Sequence, residues 1–230
     1  IRQLEKLEVA YLSDIPDDFD LSPKQRKWLN QRGQTCANIQ PDKIKKFLSR
    51  LTYPLYFLDY ETLSSAVPYF DGTKPYQQIP FQYSLHILDT PGAELRHSEY
   101  LHSQNTNPVS ELTQSLQQNI GSAGTVLTWN QSFEKGCNSL MGLLEPTARN
   151  FYHNLNERID DLMLPFKNEW HSHADFATSA SIKNVLPVLV PELSYKTLNI
   201  GDGGTAQRLW MEAVLDGKRP DERAQILQDL

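Results

Sequence analysis

The strongest chemical signal in the chain is the tripeptide Asp59-Tyr60-Glu61, at the end of the apolar, aromatic-rich run Tyr53–Tyr60. Side chains alternate across a strand, so Asp59 and Glu61 are expected on the same face. Two neighbouring carboxylates repel each other unless a cation neutralises them or the strand end is wet. Hard divalent ions such as Mg²⁺ or Mn²⁺ suit oxygen-only sites. The tripeptide therefore favours a metal site, and two solvated acids in the following loop are the alternative.

A third acid, Glu134, strengthens the metal interpretation. It follows the predicted buried strand Thr125–Trp129 and lies in the first turn of the next helix. In an open α/β sheet, that position faces the crevice beyond the carboxyl ends of the strands. If this strand lies beside the one that carries Asp59 and Glu61, the three carboxylates converge. The alternative is that Glu134 only complements the positive end of its helix, an effect of roughly 0.3–1 kcal/mol.

The elements that would position these acids follow from the apolar pattern. Predicted strands are Tyr53–Tyr60, the hairpin Phe81–Leu88 and Glu94–Leu101, Thr125–Trp129, and Asp160–Met163 as a short strand or helix start. Predicted helices begin at Asn107, near Asn130 and at Ser181, and Gly201–Gly204 is a predicted turn. This order predicts an α/β fold with an antiparallel three-strand start, then parallel strands, flanked by helices. That is the layout of ribonuclease H-like folds.

The first fifty residues are predicted to form a small helical appendage, acidic over residues 1–21 and basic afterwards. Residues 22–50 carry eight Lys or Arg residues against the single acid Asp42. Two short helices are predicted there, one ending at Gly33 and one beginning near Pro41. Such a stretch either contacts phosphates or is a solvated helical face.

Composition excludes several classes of protein. The chain has 230 residues, a net charge of −6 and only two cysteines, Cys36 and Cys137. A disulfide framework and a Cys-rich zinc site are therefore excluded, and a cytoplasmic location is expected. No apolar run approaches the roughly 18–20 residues that span a bilayer, so no membrane contact is expected. Because the chain begins at Ile1 and ends at Leu230 within a helical pattern, it is interpreted as part of a larger polypeptide.

Several uncommon strings occur together in order: YPLYFLDYET (53–62), QIPFQYSLH (78–86), TWNQSFEKG (128–136), DLMLPF (161–166) and SIKNVLPVLVPELSYKTLNIGDGGTA (181–206). With these strings, residues 1–210 resemble a bacterial family known only as a domain of unknown function. That family is similar to the DEDD 3'-to-5' exonucleases of the ribonuclease H-like superfamily. The resemblance implies that residues 51–230 are a two-metal nuclease domain, and that its fourth carboxylate follows Leu230.

The resemblance also implies roles for individual residues. Asp59 would bridge two Mg²⁺ or Mn²⁺ ions roughly 3.5–4 Å apart, Glu61 would hold the ion that activates water, and Glu134 would complete the shell of the other. DNA or RNA would be the substrate. Residues expected to contact it are Thr62, Asn130 and Phe133 at the terminal nucleotide and Ser181 and Lys183 at a phosphate. The alternatives are that Phe133 belongs to the core and that Ser181 and Lys183 are only a helix cap and an exposed lysine.

Two departures from the exonuclease pattern limit this prediction. Glu134 stands where the wider group usually has aspartate. The internal Tyr195 has Asn199 four residues later rather than an acid. Asp161, Asp175 and Asp202 remain as stand-ins for the fourth carboxylate, although each is more typical of a capping or turn residue. The rival interpretations are an incomplete ribonuclease H-like module that binds nucleic acid or a partner protein, and a glycosidase with a carboxylate pair about 5–9.5 Å apart.

Overall fold

The structure, a computed structural model, describes residues 9–31, 37–193 and 199–230. Its strands are β1 (Asn38–Ile39), β2 (Leu55–Leu63), β3 (Ile79–Leu88), β4 (Arg96–Leu101), β5 (Thr125–Thr128), β6 (Ile159–Asp161) and β7 (His171–Ser172). Five of them form a mixed sheet with the order β4-β3-β2-β5-β6, and β1 pairs with β7 in a separate two-stranded sheet.

The five-stranded sheet has the predicted mixture of directions. Strands β2, β3 and β4 form an antiparallel meander, whereas β5 is parallel to β2 and β6 is parallel to β5. The turn at Asp89–Gly92 connects β3 to β4, as the sequence predicted. The first and fourth strands of the sheet in chain order, β2 and β5, are neighbours, which was the condition for bringing the acids together. The mixed α/β architecture is therefore confirmed.

Helices flank this sheet. They are α1 (Pro23–Gln31), α2 (Pro41–Leu48), α3 (Val109–Asn119), α4 (Gln131–Leu144), α5 (Arg149–Arg158), α6 (Leu164–Lys167), α7 (Ile182–Leu189), α8 (Gly203–Trp210) and α9 (Arg223–Asp229). A π-helical turn, Met211–Leu215, continues α8. Among the described residues, no helix has both the length and the apolar character needed to cross a bilayer.

Two apolar clusters hold the sheet to its helices. The larger cluster joins one face of β2 and β3 to α3, α4 and α5, and fully buried Leu116, Met141 and Leu155 are among its members. The smaller cluster lies at the Leu63 end of β2, where the rings of Phe81 and Trp210 stack with centroids 4.4 Å apart. It attaches the C-terminal helices α8 and α9 to the strand that carries Asp59 and Glu61.

The described part of the first fifty residues contacts the rest of the chain. The Gln40 N–H donates to the Trp170 carbonyl oxygen at 2.7 Å beside the β1–β7 pair. The Phe47 and Trp170 rings lie 6.3 Å apart, and Arg50 forms an ion pair with Asp160 at 2.5 Å. The division into an appendage (1–50) and a domain (51–230) stays a prediction, and Gly33 lies outside the described residues.

Two local expectations were wrong. β2 continues past Tyr60 to Leu63, so Asp59 and Glu61 lie within the strand rather than at its end. The predicted turn Gly201–Gly204 instead opens α8, because Asp202 caps the helix by accepting the Thr205 N–H at 3.0 Å. As a result, β3 pairs alongside Glu61, and the N-terminus of α8 lies beside the Glu61 carboxylate.

Candidate functional site

Asp59 and Glu61 lie on β2, the central strand of the five-stranded sheet. Between them, Tyr60 faces the opposite side, where it is buried and donates a hydrogen bond to Asn138 Oδ1 at 2.9 Å. Strand alternation therefore leaves the two carboxylates on the same face. The side chains of this central strand are divided between a helix-covered core and an acidic surface.

A cavity of about 290 Å³ opens beside these two carboxylates, where β2 and β3 face the segments around α7, α8 and α9. Its polar lining includes Asp59, Glu61, Gln82, Lys183, Asp202 and Asp229. The Asp59 side chain is exposed to this space. Burial nevertheless raises its pKa, because protein atoms surround the carboxylate on its other sides.

The N-terminus of α8 lies directly against Glu61. A Cβ atom at position 203 would stand 2.9 Å from Glu61 Oε2, so the flexible end of that side chain would have to move. Glycine at this position leaves the carboxylate where it lies. The positive end of a helix favours a neighbouring negative charge.

Lys183, in the first turn of α7, supplies positive charge to this cavity. Its Nζ donates to the Gly201 carbonyl oxygen at 2.8 Å, and its charge lowers the pKa of Glu61. Three effects raise that pKa: burial first, then repulsion from Asp59, then repulsion from Asp202. Their sum outweighs the effect of Lys183, so the Glu61 pKa is about 7.

Glu134 lies in the first turn of α4, after the strand β5 that pairs with β2. Its side chain is only 2% exposed, and Oε2 has no hydrogen-bond partner. Its charge raises the pKa of both Tyr60 and Cys137, although burial is the main cause for each. Glu134 is therefore buried within electrostatic reach of Tyr60 and Cys137, whereas Asp59 and Glu61 line the cavity.

Asp59 is electrostatically linked to both glutamates. The pKa of Glu134 is raised to about 8, chiefly by burial and further by repulsion from Asp59 and Asp161. Repulsion from Asp59 also raises the pKa of Glu61. These carboxylates thus share one region of negative potential, and its centre is Asp59.

A hard divalent cation suits these oxygen donors, although the donors do not surround a single ion. A cation nearby would give the unpartnered oxygen of Glu134 a partner and would offset the repulsion between Asp59 and Glu134. Within the described ranges, however, no group of three or more His, Cys, Asp or Glu side chains is arranged around one ion. Mg²⁺ commonly takes only one or two carboxylates and completes its shell with water and substrate phosphates.

Thr62 is engaged within the protein. It lies just beyond a β-bulge between Glu61 and Thr62, opposite Pro80, which has no N–H for the ladder. The residue is 8% exposed, and its hydroxyl donates to Gln78 Oε1 at 2.5 Å. A nucleotide contact from Thr62 would require this bond to open, and the predicted contact stays a prediction.

The other predicted contact residues fall into two places. Asn130 is exposed beside Glu134 at a positive φ of 80°, which Asn tolerates better than most residues, and Phe133 packs partly against the core. Ser181 is exposed at the start of α7, two residues before Lys183. Only Lys183 among these residues lines the cavity with Asp59 and Glu61.

The proposed stand-ins for a fourth carboxylate have structural partners. Asp161 Oδ1 accepts hydrogen bonds from the N–H groups of Asn130 and Met163, both at 2.9 Å. These bonds fix the backbone at Asn130, immediately before α4. Asp202 caps α8, and Asp175 is exposed beside His173. Tyr195, which the sequence argument also considered, lies outside the described residues.

Sequence reasoning missed Asp229, the last residue of α9, at the cavity wall. It accepts hydrogen bonds from Gln225 Nε2 at 2.9 Å and Asn199 Nδ2 at 3.3 Å. Nearby, Gln82 Nε2 donates to the Leu230 carbonyl oxygen. A single acid at the end of a helix has no distinguishing sequence pattern, so only tertiary packing reveals this position.

Comparison with known proteins adds family membership. The uncharacterized protein MG366 of Mycoplasma genitalium is 24% identical over 88% of this chain and 32% of its own length. Its homologue in Mycoplasma pneumoniae is 25% identical over 89% of this chain and 33% of its own. The chain thus spans about a third of these relatives, and no solved structure matches it. Residues 56–181, more than half of the chain, match a family model, and the protein belongs to that family, the domain of unknown function DUF2779.

Proposed function

We propose that this protein is a metal-dependent nuclease, most simply a 3'-to-5' exonuclease on DNA or RNA, that uses two Mg²⁺ or Mn²⁺ ions. One observation carries the proposal: Asp59 repels both Glu61 and Glu134, and Glu134 keeps a buried oxygen without a partner. Burying ionised carboxylates in this way is costly unless cations compensate them.

The protein groups are divided between two ions. Asp59 would be the shared ligand, Glu61 would contribute to one ion and Glu134 to the other. When bound, such an ion pair supplies an activated water and stabilises the leaving 3'-oxygen. The remaining coordination positions would belong to water and substrate phosphates.

The residues of the cavity have distinct tasks in this reaction. Glu61, beside Gly203 at the N-terminus of α8, would orient the attacking water. Lys183 provides positive charge at the same wall, where a substrate phosphate would lie. Asp161 acts indirectly, because it fixes the backbone of Asn130 ahead of Glu134.

The sheet order supports a ribonuclease H-like fold for this domain. An antiparallel meander of three strands continues into two parallel strands beside the first of them. In that arrangement, acids on the first strand and after the fourth strand of the sheet lie at one edge. A fold-level likeness alone does not establish chemistry, so the proposal depends on the carboxylates.

A catalytically incomplete module that binds nucleic acid or a partner protein is the second candidate. It is favoured because Glu134 is buried and is not among the residues that line the cavity with Asp59 and Glu61. In such a module, Glu134 would stay protonated near neutral pH, in keeping with its pKa of about 8.

Hydrolysis of 5'-labelled single- and double-stranded DNA and RNA tests the proposal. The protein, and the same chain extended beyond Leu230, are incubated with each substrate in Mn²⁺ or EDTA. We expect stepwise shortening from the 3' end in Mn²⁺ only, and its loss in Glu61→Gln. Absence of turnover in both unmutated forms would contradict the nuclease proposal and favour the binding module.

A further inference from the structure

The loop between β2 and β3, residues 64–78, carries large apolar side chains that face solvent. Tyr76 is 72% exposed and Val67 is similarly exposed. Most of the energy gained from a tyrosine in a folded protein comes from burying its ring, and Tyr76 obtains little of it. The role of this ring is therefore not to support the fold.

The backbone at Tyr76 is also unfavourable for a tyrosine. Its φ is +60°, in the left-handed region that a bulky residue rarely adopts. The conformation is fixed because the Tyr76 N–H donates to the Ser65 carbonyl oxygen at 2.8 Å. A tyrosine that costs backbone energy and gains little from packing is characteristic of a functional position.

Several contacts attach this loop to the candidate site. Gln207 of α8 brackets Ser64, accepting its N–H at 3.2 Å and donating to its carbonyl oxygen at 2.9 Å. The neighbouring Ala206 lines the acidic cavity. Ser65, the partner of Tyr76, is four residues beyond Glu61, at most about 14 Å along an extended chain. The Tyr76 backbone is thus held close to the Glu61 end of β2.

A positive charge accompanies the ring. Lys74 is exposed two residues before Tyr76, in a turn closed by two hydrogen bonds with Gln77. An aromatic face with a neighbouring lysine matches the alternation of bases and phosphates in a nucleic acid strand. In a duplex, both faces of a base are already covered by its neighbours, so a free ring favours an unpaired base.

We infer that Tyr76 stacks on an unpaired base of a single-stranded nucleic acid whose end reaches Asp59 and Glu61, with Lys74 at an adjacent phosphate. The inference rests on the proposed nuclease function and specifies its substrate as single-stranded. Stacking a base on an aromatic side chain is worth about 1–3 kcal/mol, so replacing Tyr76 by alanine should weaken binding about 5- to 150-fold.

Binding of fluorescent ten-nucleotide strands, measured by anisotropy in Ca²⁺ without turnover, tests this assignment. Tyr76→Ala should lose affinity, whereas Tyr76→Phe, which keeps the ring, should bind like the unmutated protein. Tyr11→Ala is the matched control, because Tyr11 is also 72% exposed but lies in the N-terminal segment. Thermal unfolding should be the same for all variants, because neither ring is buried.

A scan of single abasic positions along the strand makes the test specific. At one position of the strand, the abasic substitution should weaken binding to the unmutated protein. The same substitution should not further weaken binding to Tyr76→Ala. If strands bind but Tyr76→Ala and the abasic scan change nothing, the stacking assignment is wrong and the nuclease proposal stands. If no strand binds the unmutated protein, both the assignment and a nucleic acid substrate are contradicted.

Discussion

The ionised carboxylate of Asp59, on the central strand β2, raises the pKa of Glu134, in the first turn of the helix that follows the neighbouring strand β5. Two acids separated by 75 positions in the sequence are thus brought within electrostatic reach by the pairing of β2 with β5. Repulsion from Asp59 also raises the pKa of Glu61. Proton and metal binding at these residues should therefore be coupled.

The metal-free protein should lose stability as pH rises. Glu134 ionises near pH 4.5 when unfolded but at about 8 when folded, so the folded state holds more protons between these values. Each unit of this upward shift costs the ionised form about 1.4 kcal/mol. Melting temperatures in EDTA should fall from pH 5 to pH 8.5, and less so in Glu134→Gln.

The difference in melting temperature between the unmutated protein and Glu134→Gln, taken at each pH, separates the effect of Glu134 from that of other titrating groups, including the histidines. Glu157→Gln is the matched control, because Glu157 is an exposed helical glutamate. A difference between the unmutated protein and Glu134→Gln that does not change with pH would contradict the assigned pKa.

Binding of the second ion should depend on pH. An ion held by Glu134 must displace its proton below about pH 8, and metal binding then releases that proton. Mn²⁺ titrations followed by electron paramagnetic resonance should show a weaker ion whose affinity rises up to about tenfold per pH unit below pH 8. In Glu134→Gln, the weaker ion should be lost and the stronger one kept. Loss of both ions together would contradict the division of ligands.

Gly203→Ala should damage the site without unfolding the protein. The new Cβ atom would stand 2.9 Å from Glu61 Oε2, so the carboxylate or the end of α8 must shift. Because that atom is the end of a flexible side chain, the required shift is small, and Mn²⁺ affinity should fall by less than about tenfold. Gly136→Ala is the control, since a Cβ atom there meets nothing within 4 Å. Equal Mn²⁺ affinity in both variants would show that Gly203 does not position Glu61.

The mixed sheet and its acids were predictable because buried strands are apolar runs and because turn residues separate them. Asp59 and Glu61 could be placed on one face from alternation alone. The extension of β2 to Leu63 was not predictable, because it depends on pairing with β3 across a bulge opposite Pro80. Similarly, Asp202 was assigned to a turn, although its contact with Thr205 makes it a helix cap.

Other features depend on contacts that no local pattern encodes. Strands β1 and β7 have two residues each, too few for any alternation, and they are stabilised by contacts around Trp170. The burial of Glu134 follows from how α4 packs, which a helix-start position does not specify. The strained backbone at Tyr76 depends on its bond to Ser65.

Asp161→Ala should lower stability more than it alters metal binding. Its carboxylate is 3% exposed and accepts two backbone N–H groups, which the substitution would leave without partners. We expect a loss of about 2–4 kcal/mol in the free energy of unfolding, measured with urea. The exposed Asp175 serves as the control, and Asp175→Ala should change stability by less than about 0.5 kcal/mol. Unchanged stability together with abolished Mn²⁺ binding would instead make Asp161 a ligand.

The most direct test of the two-ion site is Mn²⁺ binding to the unmutated protein and to Asp59→Asn at pH 8, followed by electron paramagnetic resonance. The proposal makes Asp59 the shared ligand, so this substitution, nearly identical in shape, should abolish binding of both ions while the protein stays folded. Two bound ions in the unmutated protein and none in Asp59→Asn are the expected result. Identical Mn²⁺ binding by the two proteins, or none by either, would contradict the proposed site.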